Sequence, residues 1–212
     1  RIGTFLNADQ QDLVKQIFMG LHSEEYAQTV FNQVKADSGK KGFGDSAIAL
    51  FGKPGSGKFE FVLTGRHCTR RCDGDSLAGS AFGGPIFYGH AAGSFHEKAD
   101  HKGNAYWFQA KRANELYQAL DGKQRKVALL DKRSRGERGN KTIETKGTVE
   151  GLEGIPASDF SGDQKDLFRK VLADLMAPFR KKDADEAMKL IEANDLNKLH
   201  LSYYKKEDIG DD

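Results

Sequence analysis

Apolar residues recur at helical spacing near the start of the chain. Leu13, Ile17, Phe18 and Leu21 fall along one helix face. Asn7, three residues before Gln10, is a predicted N-cap, and Gln10 can reach back to close a capping box. A second helix is predicted after Ser23, with Tyr26, Val30, Phe31 and Val34 on one face, ending before Ser38-Gly39-Lys40-Lys41-Gly42. The same opening returns at Asp121…Gln124, ahead of Val127, Leu129 and Leu130, and at Ser161…Gln164, ahead of Leu167, Phe168, Val171, Leu172 and Leu175. Leu or Phe precedes each cap. These read as three helices with similar starts, because no longer self-similarity supports an array of repeats.

Between the first helices and the middle of the chain the period changes. Ala47 to Phe51 is a short apolar run, and Phe59, Phe61 and Leu63 alternate with Glu60 and Thr64. Both read as strands, joined by Gly52-Lys53-Pro54-Gly55-Ser56-Gly57-Lys58. A middle helix is predicted from about Trp107 through Leu120, and a last amphipathic helix over Asp183–Ala193. Asp131 to Lys141 reads as a charged loop, Thr142 to Val149 as a weak strand, and His200 to Tyr204 as a final short strand. Helices and strands do not alternate as in a doubly wound sheet. The predicted fold class is α+β, a small, mainly antiparallel sheet flanked by several amphipathic helices, in a single domain over residues 1–212.

Composition agrees with a soluble globular chain: 38% of residues are hydrophobic and 30% charged. The 33 basic and 31 acidic residues leave a net charge of +2, which gives no global case for nucleic acid or an anionic membrane. No apolar run approaches the ~20 residues of a membrane span. The chain opens on Arg1-Ile2-Gly3-Thr4, with neither an initiator methionine nor a signal peptide, so an internal portion of a longer precursor is expected.

Gly52 to Lys58 imitates a phosphate-binding loop, but two features oppose nucleotide binding. Phe59 stands where a magnesium-binding Ser or Thr is needed, and a strand pattern follows where a helix N-terminus should cradle phosphate. A hairpin turn is the better reading, and no nucleotide cofactor is expected.

Residues 66–101 hold the candidate chemistry. Arg66, Arg70 and Arg71 crowd beside Asp73 and Asp75, as an ion-paired turn or as an anion clamp. If the strand runs on past Leu63, His67 shares a face with Phe61 and Leu63. Cys68 and Cys72 then stand ~13 Å apart, too far for a disulfide, although a turn within Thr69-Arg70-Arg71 would permit one. The two cysteines are open to three roles: buried apolar residues, disulfide partners, or metal ligands with His67. A glycine-rich, aromatic loop over Gly83–Glu97 carries His90 and His96, and His101 follows in an exposed-looking turn. Neutral imidazole suits zinc, copper and iron. Histidine spacings of six and five do not match the H-E-x-x-H helix. His67, His90 and His96 are the candidate ligands, whereas His22 and His200 are isolated and need no function.

The segments GLHSEEYAQTVF, FGKPGSGKFEF, GRHCTRRCDGDS, AFGGPIFYGHAAGSFHEK and ALDGKQR together resemble the bacterial domain-of-unknown-function family thirty-five hundred. The resemblance implies proteins longer at both ends and exported to the periplasm behind a signal of the twin-arginine type. It also implies strands beyond Asp212 bearing a His-x-His pair, which would complete a metal site. Similar sequences can carry another residue at Cys68, which weakens a ligand or disulfide role there.

Two functions follow. The first is an exported metal-binding protein holding copper, iron or zinc, with haem left open, and acting as a metal-dependent oxidoreductase; Arg66 would stand beside the ligands. The second is a metal-free binding or assembly module that uses the glycine and aromatic loop with Arg66, Arg70 and Arg71. A small-molecule or protein partner and self-association through open strand edges are both compatible with it.

Overall fold

The computed structural model describes residues 1–72, 86–89, 105–133 and 147–206. The chain forms two compact units, Arg1–Ala110 with Leu172–Leu190, and Lys111–Val171 with Ile191–Asp212.

The first unit opens with α1 (Ile2–Phe5), α2 (Ala8–Gly20) and α3 (Ala27–Asp37). The Asn7 side chain accepts from the Gln10 amide while the Gln10 side chain accepts from the Asn7 amide, so the expected capping box forms. Val14 and Phe18 of α2 and Val30 and Val34 of α3 are buried, whereas Leu13, on the same apolar spacing, is exposed. Then come β1 (Ala47–Gly52), β2 (Phe59–Gly65) and β3 (Cys68–Cys72), an antiparallel sheet in the order β1-β2-β3. Phe61 and Leu63 alternate inward from β2 and pack with Phe18, Val30, Val34 and Cys68 as one core.

Gly52 pairs with Phe59, so the Gly-rich segment closes a β-hairpin and leads into a strand. It does not feed a helix. Gly52 has φ +74°, and an added Cβ would lie 1.9 Å from the Lys58 carbonyl oxygen. The turn therefore requires glycine at this position on both counts.

Later elements are α4 (Trp107–Ala119), α5 (Gly122–Ala128), β4 (Leu129–Arg133), β5 (Ile155–Pro156), α6 (Gly162–Met176), α7 (Lys181–Ala193), β6 (His200–Leu201) and β7 (Tyr203–Lys206). In the second unit Leu116, Leu120, Ala128, Ile155, Phe160 and Phe168 are buried. The caps at Asp121 and Ser161 form as expected. Their glutamines also join: Gln124 and Gln164 exchange side-chain amide hydrogen bonds at 2.9 Å.

Two expectations change here. Leu129 and Leu130 do not continue the helix after Asp121; they open β4, which pairs in parallel with β7. The single terminal strand is two short ones, β6 against β5 and β7 against β4. A parallel partner contributed from so far along the chain leaves no local trace. The weak strand expected over Thr142 to Val149 falls mostly outside the described residues, and Gly147 to Val149 is not strand. Among the described residues no helix is long and apolar enough to cross a membrane.

Candidate functional site

The β2–β3 register pairs Gly65 with Cys68, leaving Arg66 and His67 as a two-residue turn. His67 therefore leaves the sheet and does not share the inward face of Phe61 and Leu63. The turn brings it to the C-terminal residue of α3: His67 Nδ1 lies 2.5 Å from Asp37 Oδ2. A carboxylate only accepts, so Nδ1 carries the proton, and in the neutral ring Nε2 is the nitrogen with an available lone pair. Side-chain exposure is 23% for His67 and 10% for Asp37, so the pair is sheltered yet reachable. Around it Val34, Asp37, Ser38, Arg66, His67, Cys68 and Gly89 line a shallow recess with no enclosed room for a water molecule.

β3 runs unbroken from Cys68 to Cys72, which removes the turn that a bond between them would need. At strand spacing they stand ~13 Å apart, and both are free thiols. Cys68 is buried in the core, where desolvation pushes its thiol pKa up and keeps it protonated. A protonated, buried thiol is neither a nucleophile nor a ready metal ligand.

The three arginines do not converge. Arg66 is exposed in the turn. Arg71, on the opposite face of β3 from Arg70, pairs with Glu60 across the sheet. Arg70 points into the core and is 2% exposed. Its Nε donates to His22 Nε2 at 2.9 Å, and its Nη1 donates to the Thr69 and Phe87 carbonyls at 2.8 and 3.1 Å. The guanidinium lies 5.6, 5.9 and 5.1 Å from the ring centres of Phe18, Tyr88 and Phe179. Among the described residues it has no carboxylate partner.

His22 is tuned to this neighbour. Its Nδ1 bonds the Phe18 carbonyl at 2.7 Å, so that nitrogen holds the proton and Nε2 accepts from Arg70. Burial, and then the Arg70 charge, lower its pKa to about 3. The imidazole is thus neutral and leaves the positive charge uncompensated. Burying an ion costs several kcal/mol, whereas a cation–π contact returns only about 0.5–2 kcal/mol. Nη2 of Arg70 is buried beside the buried Tyr106 hydroxyl, whose oxygen can accept from it. Burial pushes the Tyr106 pKa up to about 12, so it supplies no negative charge.

Residues 86–89 lie along the open edge of β3. Phe87 O accepts from the Thr69 amide at 2.7 Å, Phe87 N donates to Thr69 Oγ1 at 2.8 Å, and Tyr88 bridges Cys68. The Gly89 carbonyl accepts from buried Gln33 at 2.9 Å, which fixes the backbone one residue before His90. His90, His96, His101, Asp73 and Asp75 lie outside the described residues. Among the described residues no group of three or more His, Cys, Asp or Glu side chains could hold a metal ion.

Sequence reasoning passed over Asp37, His22, Tyr88 and Tyr106. Asp37 ends an ordinary amphipathic helix and meets His67 only through the tertiary fold. His22, read as isolated, accepts a side-chain hydrogen bond from Arg70. Its one local clue was its place four residues after Phe18, just past the C-terminal end of α2.

The fold and the site together define an α+β protein with a histidine–carboxylate pair at a hairpin turn and a buried arginine behind it. The family of proteins of unknown function designated DUF3500 matches residues 4–211, and the chain belongs to it. No curated protein and no solved structure matches the chain.

Proposed function

We propose that this chain is an exported metal-binding protein in which His67 ligates a transition metal ion through Nε2. The Asp37–His67 contact carries the reading. A carboxylate on the far nitrogen fixes the ring, selects the tautomer and raises ligand basicity, which is the usual outer-shell arrangement of a metal-bound histidine. His90 and His96 are the proposed further ligands. Gly89, whose carbonyl is anchored by Gln33, lines the same recess and directly precedes His90 in the chain. Arg66, also lining the recess, would stand beside the bound ion or an anionic co-ligand. Copper, iron and zinc all suit imidazole ligands, and the first two would add redox chemistry. Export rests on the resemblance to exported proteins alone.

The test is elemental analysis of natively purified, full-length protein and of its His67→Ala and His90→Ala variants. About one copper, iron or zinc per chain in the wild type, lost in both variants, is the expected result. Full retention of the metal in both variants would sink the assignment.

The metal-free reading drew on three arginines closing on one acid. The divergence of Arg66, Arg70 and Arg71 does not support that clamp.

A further inference from the structure

We infer that β1 is the seam of a two-fold dimer, in which its outer edge pairs antiparallel with the same edge of a second copy of this chain, centred on Ala49. The two three-stranded sheets would run on as one sheet across the seam. This goes beyond the metal reading and shares no residue with its ligand set, so either can fail without the other.

Three observations carry it. The first is that the core face of the sheet extends past its cover. Leu50 stands directly opposite Phe61 and Ile48 opposite Leu63, so these side chains share one face. Phe61 and Leu63 are buried, whereas Leu50 is 57% exposed. Phe51, on the other face, is 56% exposed, so β1 offers apolar surface on both sides of the sheet. The second is that β1 has none of the devices that blunt a sheet edge. Ala47 to Gly52 carries no charge and no proline, and its register with β2 runs unbroken, without a bulge. Among the described residues only β2 pairs with it.

The third is that the strand complements itself. Antiparallel pairing about Ala49 sets Ile48 against Leu50 of the second copy on the core face, and Ala47 against Phe51 of the second copy on the other. Two-fold symmetry makes each contact twice. The antiparallel sense also separates like charges. Lys53 lies four residues from the axis, so it and its twin are ~26 Å apart at strand spacing, beyond the ~8 Å screening length. A parallel pairing would set Lys53 and Lys58 beside their twins. The Ile2 amide already donates to the Ser46 carbonyl at 2.8 Å, so the new ladder starts at Ala47. A seam this short buries little area, which makes the dimer reversible and not obligate.

The experiment is sedimentation velocity of the full chain from about 1 μM to 1 mM. A reversible monomer–dimer equilibrium is expected. Ala49→Lys and Ala49→Glu, at an exposed position, each set two like charges face to face on the axis. Each should weaken dimerisation about tenfold or more. An equimolar mixture of the two variants should restore the dimer as a mixed pair, which chains that had merely failed to fold could not do. Leu13→Lys, exposed on α2, should dimerise as the wild type does. A wild type that stays monomeric throughout, growth past the dimer, unchanged association in Ala49→Lys, or a mixture that stays monomeric would each overturn the inference.

Discussion

Arg70 and His22 are joined side chain to side chain in the core, Nε to Nε2 at 2.9 Å, with the histidine's other nitrogen on the Phe18 carbonyl at 2.7 Å. A buried neutral histidine that accepts from a buried cation is a titration device, because protonating it would set two positive charges against each other.

Its consequence is a pH dependence of stability. The His22 pKa falls from 6.5 in the unfolded chain to about 3 in the folded one. The unfolded state therefore binds more protons between those values, and stability is full above pH ~6.5 and falls as pH drops towards ~3. The slope for one group approaches ~1.4 kcal/mol per pH unit. Denaturant titrations from pH 7 to pH 4.5 should show this slope in the wild type. It should be reduced in His22→Gln, whose amide can accept from Arg70 without titrating. Equal slopes in the two proteins would contradict the neutral, buried imidazole.

The thiols give a second check. Cys68 is buried with a raised pKa and Cys72 is half-buried, and neither is bonded. Two thiols should react in denaturant without reductant. In the native protein Cys68 should be modified much more slowly than Cys72. A single chain that yields no free thiol before reduction would refute the unbroken strand between them.

The β1–β2 hairpin tests the reading of the Gly-rich loop. Gly52→Ala puts a methyl group 1.9 Å from the Lys58 carbonyl oxygen at a φ of +74°. A loss on the order of 2 kcal/mol or more is expected from strain and steric displacement together. Gly55→Ala meets nothing within 4 Å and carries only the cost of its φ of +78°, about 1 kcal/mol. Chemical denaturation should rank the two in that order, and neither change should create or abolish nucleotide binding.

The Gln124–Gln164 pair predicts coupling between two helix starts. Each glutamine closes its own capping box and also bonds the other, so removing either leaves the partner's amide short of a bond. A double-mutant cycle with Gln124→Ala and Gln164→Ala should show an interaction of roughly 0.5–2 kcal/mol. Simple additivity would mean that the caps act separately.

What could be read from the sequence was what is decided locally. Asn7–Gln10 lies within one turn of chain, and the alternation of Phe59, Phe61 and Leu63 states its own inward face. The β1–β2 hairpin was visible because Gly52, Gly55 and Gly57 punctuate it, and each adopts positive φ. The second hairpin was not visible, because Arg66-His67 turns without glycine, asparagine or proline, and neither residue has positive φ. Arg70 carried the opposite of a legible signal. Three arginines close together look like surface charge, and only alternation along a strand with known edges sends Arg70 inward and Arg71 outward. His22 and Asp37 join the site through contacts 48 and 30 residues away in the chain, a distance over which spacing carries no information.

The most direct test of the metal-site account is the metal affinity of the wild type against Asp37→Asn, measured by competition with a chromophoric chelator. Asp37 touches His67 Nδ1 and would not be a ligand itself, so the substitution leaves the proposed ligand set intact while removing the charge that orients and polarises the ring. The account predicts one metal ion per chain in the wild type and an affinity roughly 10–100-fold weaker in Asp37→Asn. A wild type that binds no metal, or an Asp37→Asn variant that binds it as tightly, would contradict it.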